Sequence, residues 1–298
     1  MARFGENHTI VLAGIGFDAA GPYLSFNDLE AGSQTQFSVQ GKTFSLRLLA
    51  QRRCVGSIDL ATHQGQVCPQ AATLLPEAKD NSCAACQKVT GFNPAFYNAA
   101  SLSAQQRAYN LTPHYVYMAY FSPQYVKVGI SSETRGIKRL LDQGARAALV
   151  VGRFESAEEA RALEARLCAQ PGIYETMRAA KKVELFTEER YDFAEAQVIL
   201  QAKAEGLGLN PDEACLDLTP YYFAGAQPTS DEVQLPGDEF EGLCGGRCIG
   251  MIGSVLVFEQ SAVYFAVPLK GWESHEVELF LDEVIPSYSF EPLQMSLL

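Results

Sequence analysis

The chain has four histidines, no long apolar run, and few basic residues in its last third. Each scarcity excludes something. No apolar stretch approaches the roughly 20 residues that a membrane-spanning helix needs. The opening run Thr9–Phe17 is short, has no basic lead beyond Arg3 and is followed by Asp18, a pattern unlike a secretory signal. These features point to the cytoplasm and away from a membrane. There the eight cysteines would be thiols or metal ligands rather than disulfides. With only His8, His63, His114 and His275 available, a histidine-centred catalytic system has few candidates. No internal repeat is visible, which removes solenoids and propellers.

The formal net charge is −12, yet it is unevenly spread. Residues 1–113 carry 8 basic and 7 acidic side chains, a net of +1. Residues 114–186 carry 11 and 8, a net of +3, and residues 187–298 carry 4 and 20, a net of −16. Whole-chain acidity therefore does not exclude a polyanionic partner for the middle segment. The acidic last third offers itself to a basic protein partner or to the protein's own basic surface.

At 298 residues and 47% hydrophobic content the chain can bury a substantial core. Its patterning predicts an α+β protein in three regions. Residues 1–112 are mostly β, with a Gly/Gln/Ala-rich cysteine segment over 52–90 and a helical connector over Pro94–Asn110. Residues 113–205 form a compact mixed unit. Residues 206–298 are acidic and β-rich, with linker-like composition over Gln227–Gly242. The two β regions have the makings of one shared sheet or barrel, a question that periodicity leaves open.

The most informative segment is His114–Leu167. Tyr115–Phe121 and Tyr125–Ile130 are rich in β-branched and aromatic residues and flank Ser122-Pro123-Gln124, so they predict a β-hairpin. A helix-period stretch from about Thr134 to Gln143 follows and ends at Gly144. Next come an apolar run over Ala147–Phe154 and a second helix, capped by Ser156 with Glu158 and Glu159 in its first turn. A further amphipathic helix is expected over Phe193–Leu207.

This β-β-α-β-α order resembles the GIY-YIG nuclease superfamily, in the branch whose second strand reads VKIG. Tyr115-Val116-Tyr117 stands where GIY is expected, and Val126-Lys127-Val128-Gly129 matches the second motif. The resemblance implies that Tyr117 is the general base or orients the water, and that Lys127 stands where the second tyrosine would be. It further implies that Arg139 holds the scissile phosphate and Glu164 binds one Mg²⁺ or Mn²⁺. The chemistry suits these residue types. Arginine contacts phosphate oxygens in a bidentate, charge-assisted way, and one carboxylate suffices for a cation that keeps most of its waters. Arg135, one turn before Arg139, would share its face and help bind the phosphate, and His114 is a candidate acid or base beside the tyrosine. No asparagine occurs near Ala179–Lys182, where the family pattern has one. A literal Gly172-Ile173-Tyr174 lacks a following hairpin and reads as coincidence.

Cys54, Cys68, Cys83 and Cys86 offer four thiolates for a tetrahedral structural zinc, with buried thiols as the alternative. Only Cys83-Ala84-Ala85-Cys86 is an intact knuckle, and His63 is a substitute ligand. This cysteine segment, the Arg139–Ala145 motif RLLDQGA and the Gly-rich β tail together resemble an uncharacterised bacterial family of unknown function. Cys244-Gly-Gly-Arg-Cys248 reads as a glycine turn before a strand. Gly14-Ile15-Gly16 lacks the helix that a dinucleotide fingerprint requires. The leading expectation is nucleic-acid processing, with DNA or RNA as partner. The alternative is a non-catalytic nucleic-acid or protein binding module on the same fold, regulated by the acidic last third.

Overall fold

The computed structural model describes residues 4–91, 102–188, 190–223, 225, 228, 233–237, 240–285 and 290–292. The architecture is mixed α/β with several sheets. It divides into two compact units, one formed by Met1–Phe92 with Phe223–Leu298 and the other by Asn93–Tyr222. No helix among the described residues is long and apolar enough to cross a membrane.

The chain begins with the antiparallel strands β1 (Ile10–Asp18), β2 (Gly21–Asp28), β3 (Ser33–Ser38) and β4 (Thr43–Arg53). Gly14 and Gly16 lie within β1, which turns straight into β2, so the strand continues where a dinucleotide site would open a helix. The cysteine segment then holds only the two-residue strands β5 (Ser57–Ile58), β6 (Gly65–Gln66) and β7 (Thr73–Leu74), followed by α1 (Ala84–Thr90). Its helix-and-strand content is low because it has neither helical nor strand periodicity.

The second unit opens with α2 (Ala104–Asn110), the described part of the expected Pro94–Asn110 helix; residues 94–101 lie outside the described ones. Strands β8 (His114–Ser122) and β9 (Tyr125–Ser132) form the hairpin. Where one helix is expected, a 3-10 turn at Glu133–Arg135 is separated from α3 (Lys138–Gln143) by Gly136, at φ 50°. The Tyr115 hydroxyl donates to the Gly136 carbonyl and anchors that break. Strand β10 (Ala147–Phe154) and helix α4 (Ala157–Cys168) follow, the latter capped by Ser156 accepting from the Glu159 N–H at 3.4 Å. Beyond them lie β11 (Ile173–Tyr174), α5 (Ala179–Glu188), α6 (Phe193–Gly206) and β12 (Leu216–Asp217). The sheet order is β11-β9-β8-β10-β12. Val116, Met118, Tyr120, Val126, Val128 and Leu149 of the sheet join Ala160 and Leu167 of α4 and Ala196, Leu200 and Ala204 of α6 in one core. Each fully buried aliphatic side chain there contributes about 1.5–3 kcal/mol.

The chain then returns to the first unit with β13 (Val233–Pro236), β14 (Leu243–Ile252), β15 (Val255–Gln260), β16 (Val263–Pro268), β17 (His275–Leu281) and β18 (Phe290–Pro292). Strand β13 occupies part of the stretch expected as a linker. Among the described residues these strands and β1–β4 build an 11-stranded sheet, with order β18-β13-β16-β15-β14-β4-β17-β1-β2-β3 and β7 against β4. The regions 1–112 and 206–298, whose pairing periodicity left open, share a sheet, and β4 bonds on both sides to strands from the far end of the chain. The Cys244–Cys248 segment, expected as a glycine turn before a strand, lies inside β14; both thiols are buried and burial pushes them up to about 12, which fits small core residues.

Candidate functional site

The cysteine segment of the first unit gathers its ligands from three short turns. Cys54 directly follows β4, Cys68 follows β6, Cys83 caps α1 and Cys86 lies within it. Their Sγ atoms all lie within 4.8 Å of one another, and those of Cys68 and Cys83 are 4.0 Å apart. None is in a disulfide. A tetrahedral zinc with Zn–S near 2.3 Å has sulfur edges of about 3.8 Å, so the spacing fits a metal such as zinc. The backbone is arranged for a thiolate too. Cys54 Sγ accepts from the Gly56 N–H at 3.3 Å and the Cys83 N–H at 3.1 Å. Gly56 has φ 97°, and a Cβ there would lie 1.7 Å from the Gln66 carbonyl oxygen, so only glycine allows this turn. The intact Cys-x-x-Cys is therefore matched by Cys54 in a glycine turn and by Cys68, although the sequence carries no second knuckle. The Cys86 N–H, then the neighbouring thiols, bring the Cys83 thiol down to about 7, while burial pushes Cys54 and Cys86 up. Four thiols so close cannot all ionise without a cation. His63, the proposed substitute, is exposed in the Asp59–Gln64 turn and outside this group.

In the second unit, the pairing Tyr117↔Gly129 and Ala119↔Lys127 puts Tyr117 and Lys127 on one face of the hairpin. The Lys127 Nζ sits 6.0 Å from the Tyr117 ring centroid and donates to the Val128 carbonyl at 3.2 Å. Gly129 makes room for the phenol: a Cβ there would lie 2.6 Å from Tyr117 Oη. Tyr117 is fully buried and its hydroxyl has no hydrogen-bond partner among the described residues. Burial pushes its pKa up, and the Arg139 guanidinium opposes this. Burial and then Arg139 push Lys127 down, with Glu164 opposing. Glu164 lies on the buried stripe of α4. Burial pushes it up against the pull of Arg161, 3.9 Å away, and of Lys127.

Four of the sequence-predicted residues, Tyr117, Lys127, Arg139 and Glu164, thus act on one another electrostatically. Arg135 lies in the 3-10 turn before Gly136, not on α3 with Arg139, and bonds Asp142 at 2.7 Å, while its charge still reaches Tyr117. His114 is buried, feels the Arg161 charge, and holds the Thr112 carbonyl through Nδ1. The Arg161–Glu164 pair follows from its i,i+3 spacing on α4, whereas sequence reasoning missed Cys168 and Glu175, which share this field. Glu175 is 11 residues beyond Glu164, and only the β11–β9 pairing brings the two near. The Gly172-Ile173-Tyr174 triplet that read as coincidence is what supplies that strand.

Residues 41–277 match the family described as Protein of unknown function (DUF2797). The chain belongs to this family. No curated protein and no solved structure matches it.

Proposed function

We propose that this protein processes nucleic acid by metal-dependent phosphodiester hydrolysis at a GIY-YIG-like centre in its second unit. The observation that supports the reading is Lys127 beside the Tyr117 ring on one face of the hairpin, both within the field of Arg139 on α3 and Glu164 on α4. Arg139 grips the scissile phosphate. The Tyr117 phenol, held protonated by burial, orients the attacking water rather than taking its proton. The Lys127 amine stands beside the phenol and supports Arg139 in holding the phosphate, and the water's proton leaves to solvent. Glu164 would hold a Mg²⁺ or Mn²⁺, whose chemistry is to neutralise charge on the leaving oxygen. In the first unit, we infer that Cys54, Cys68, Cys83 and Cys86 hold a structural zinc.

The test is a cleavage assay on mixed DNA and RNA substrates with Mg²⁺ or Mn²⁺. Wild type should cleave, and Glu164→Ala and Arg139→Ala should each lose roughly 100-fold or more. Cleavage that survives Glu164→Ala removes the metal site. Absence of wild-type cleavage with salt-sensitive binding retained favours a binding module on the same surface.

A further inference from the structure

We propose that the sheet face bearing Tyr117 and Lys127 continues into a stacking platform for an unpaired nucleobase, built from Tyr174 on Tyr125. This rests on the nucleic-acid reading above and narrows its substrate to a single strand.

Strand β11 joins β9 in parallel, with Ile173 opposite Val126 and Tyr174 opposite Lys127. Paired residues of neighbouring strands project from the same face, as do residues two apart on one strand. Tyr174, Tyr125, Lys127 and Tyr117 therefore share a face. Ile173 takes the other face and joins the core with Val126. Having turned its isoleucine inward, this two-residue strand leaves Tyr174 39% exposed. Its ring stacks on Tyr125 at 5.2 Å between centroids and 26° between planes. Lys181 Nζ lies 4.9 Å from the Tyr125 ring centroid, and Lys182 Nζ lies 5.5 Å from that of Phe121. The platform is thus an exposed aromatic ring, backed by a second ring over which sits the ammonium of Lys181, itself paired with Glu184.

That chemistry fits one occupant. Every nucleobase has a π-face, so a ring platform beside lysines takes single-stranded nucleic acid with little regard to sequence. In a duplex those faces are already stacked inside the helix, so the platform discriminates against paired strands. Because Tyr174 is the strand partner of Lys127, a stacked base and a phosphate at the Lys127–Arg139 cluster lie at neighbouring points of one bound strand.

Fluorescence anisotropy with labelled oligo-dT and oligo-rU, and with a duplex of equal length, tests this on the full chain. Stacking is worth about 1–3 kcal/mol per base, so Tyr174→Ala should weaken single-strand binding roughly 5- to 150-fold. The duplex should be unaffected, and Tyr174→Phe should bind as wild type. Unchanged single-strand affinity in Tyr174→Ala overturns the platform; if Arg139→Ala loses binding in the same series, the phosphate-contact reading survives without it. Loss in Tyr174→Ala with full retention in Arg139→Ala keeps the platform and removes the phosphate contact. Equal loss for duplex and single strand in Tyr174→Ala overturns the platform, and a wild type that binds neither oligonucleotide overturns both.

Discussion

His114 shows how one buried side chain couples fold and pH. Its Nδ1 lies 2.7 Å from the Thr112 carbonyl oxygen, which can only accept, so Nδ1 carries the proton in the neutral ring. Nε2 is then a bare acceptor, buried without a partner among the described residues. Burial is the main cause that lowers the His114 pKa, and the Arg161 charge adds to it. A histidine whose folded pKa lies below its unfolded value, about 6.5, is protonated more readily in the unfolded chain. It therefore contributes stability that is complete above about pH 6.5 and is lost as pH falls toward the lower folded value. Urea unfolding followed on both sides of about pH 6.5 should show stability falling on acidification. His114→Asn, which keeps a donor for Thr112, should flatten that dependence. An unchanged slope would assign the pH response to other groups.

Among the elements, the hairpin was the most legible. The apolar and aromatic runs on either side of Ser122-Pro123-Gln124 left one pairing that buries Val116, Met118, Val126 and Val128 together. The boundaries of β10 and the cap of α4 were readable for similar local reasons, a continuous apolar run and a Ser-x-x-Glu box. The single helix over Thr134–Gln143 was not, because its apolar spacing continues through a break that Gly136 and a bond from Tyr115, twenty-one residues earlier, impose. The Tyr117–Lys127 pair follows from hairpin register. By contrast, the engagement of Arg135 with Asp142 depends on that break. Register makes a further demand on Gly129, since a Cβ there would meet Tyr117 Oη at 2.6 Å, Cζ at 2.8 Å and Lys127 Nζ at 3.2 Å. Gly129→Ala should cost about 1–3 kcal/mol by overpacking, read as a lower unfolding midpoint. In a Tyr117→Leu background the same change should cost much less, a coupling that a double-mutant cycle measures. Additive costs would mean that the strain lies elsewhere.

At the scale of the molecule, charge and metal bear on the same sheet. Part of the acidity of the last third is engaged within its own unit: Glu278 pairs with Arg47 at 2.8 Å and Glu276 with Arg53 at 2.7 Å, from β17 to β4. Such pairs join residues more than two hundred positions apart, which local periodicity cannot foresee. They leave less free charge for mimicry than a count of carboxylates suggests. Arg52, buried in the same strand, donates to the carbonyls of Leu75, Pro76 and Ala78 and to Asn81 Oδ1, the segment just before Cys83. Its Nε also bonds Ser274 Oγ at 2.9 Å, two residues from Trp272, the single tryptophan of the chain. The thiol cluster is thus wired through Arg52 to a buried fluorophore in the same unit. If zinc holds Cys83 and Cys86 to Cys54 and Cys68, the purified protein should carry about one equivalent per chain. A strong chelator should then release the Leu75–Asn81 segment, change Trp272 emission and lower the unfolding midpoint, and added zinc should reverse all three. Cys86→Ser should lose the metal and give the chelated spectrum from the start. Far less than one equivalent of metal, with emission and melting indifferent to chelator, would leave four neighbouring thiols and no centre.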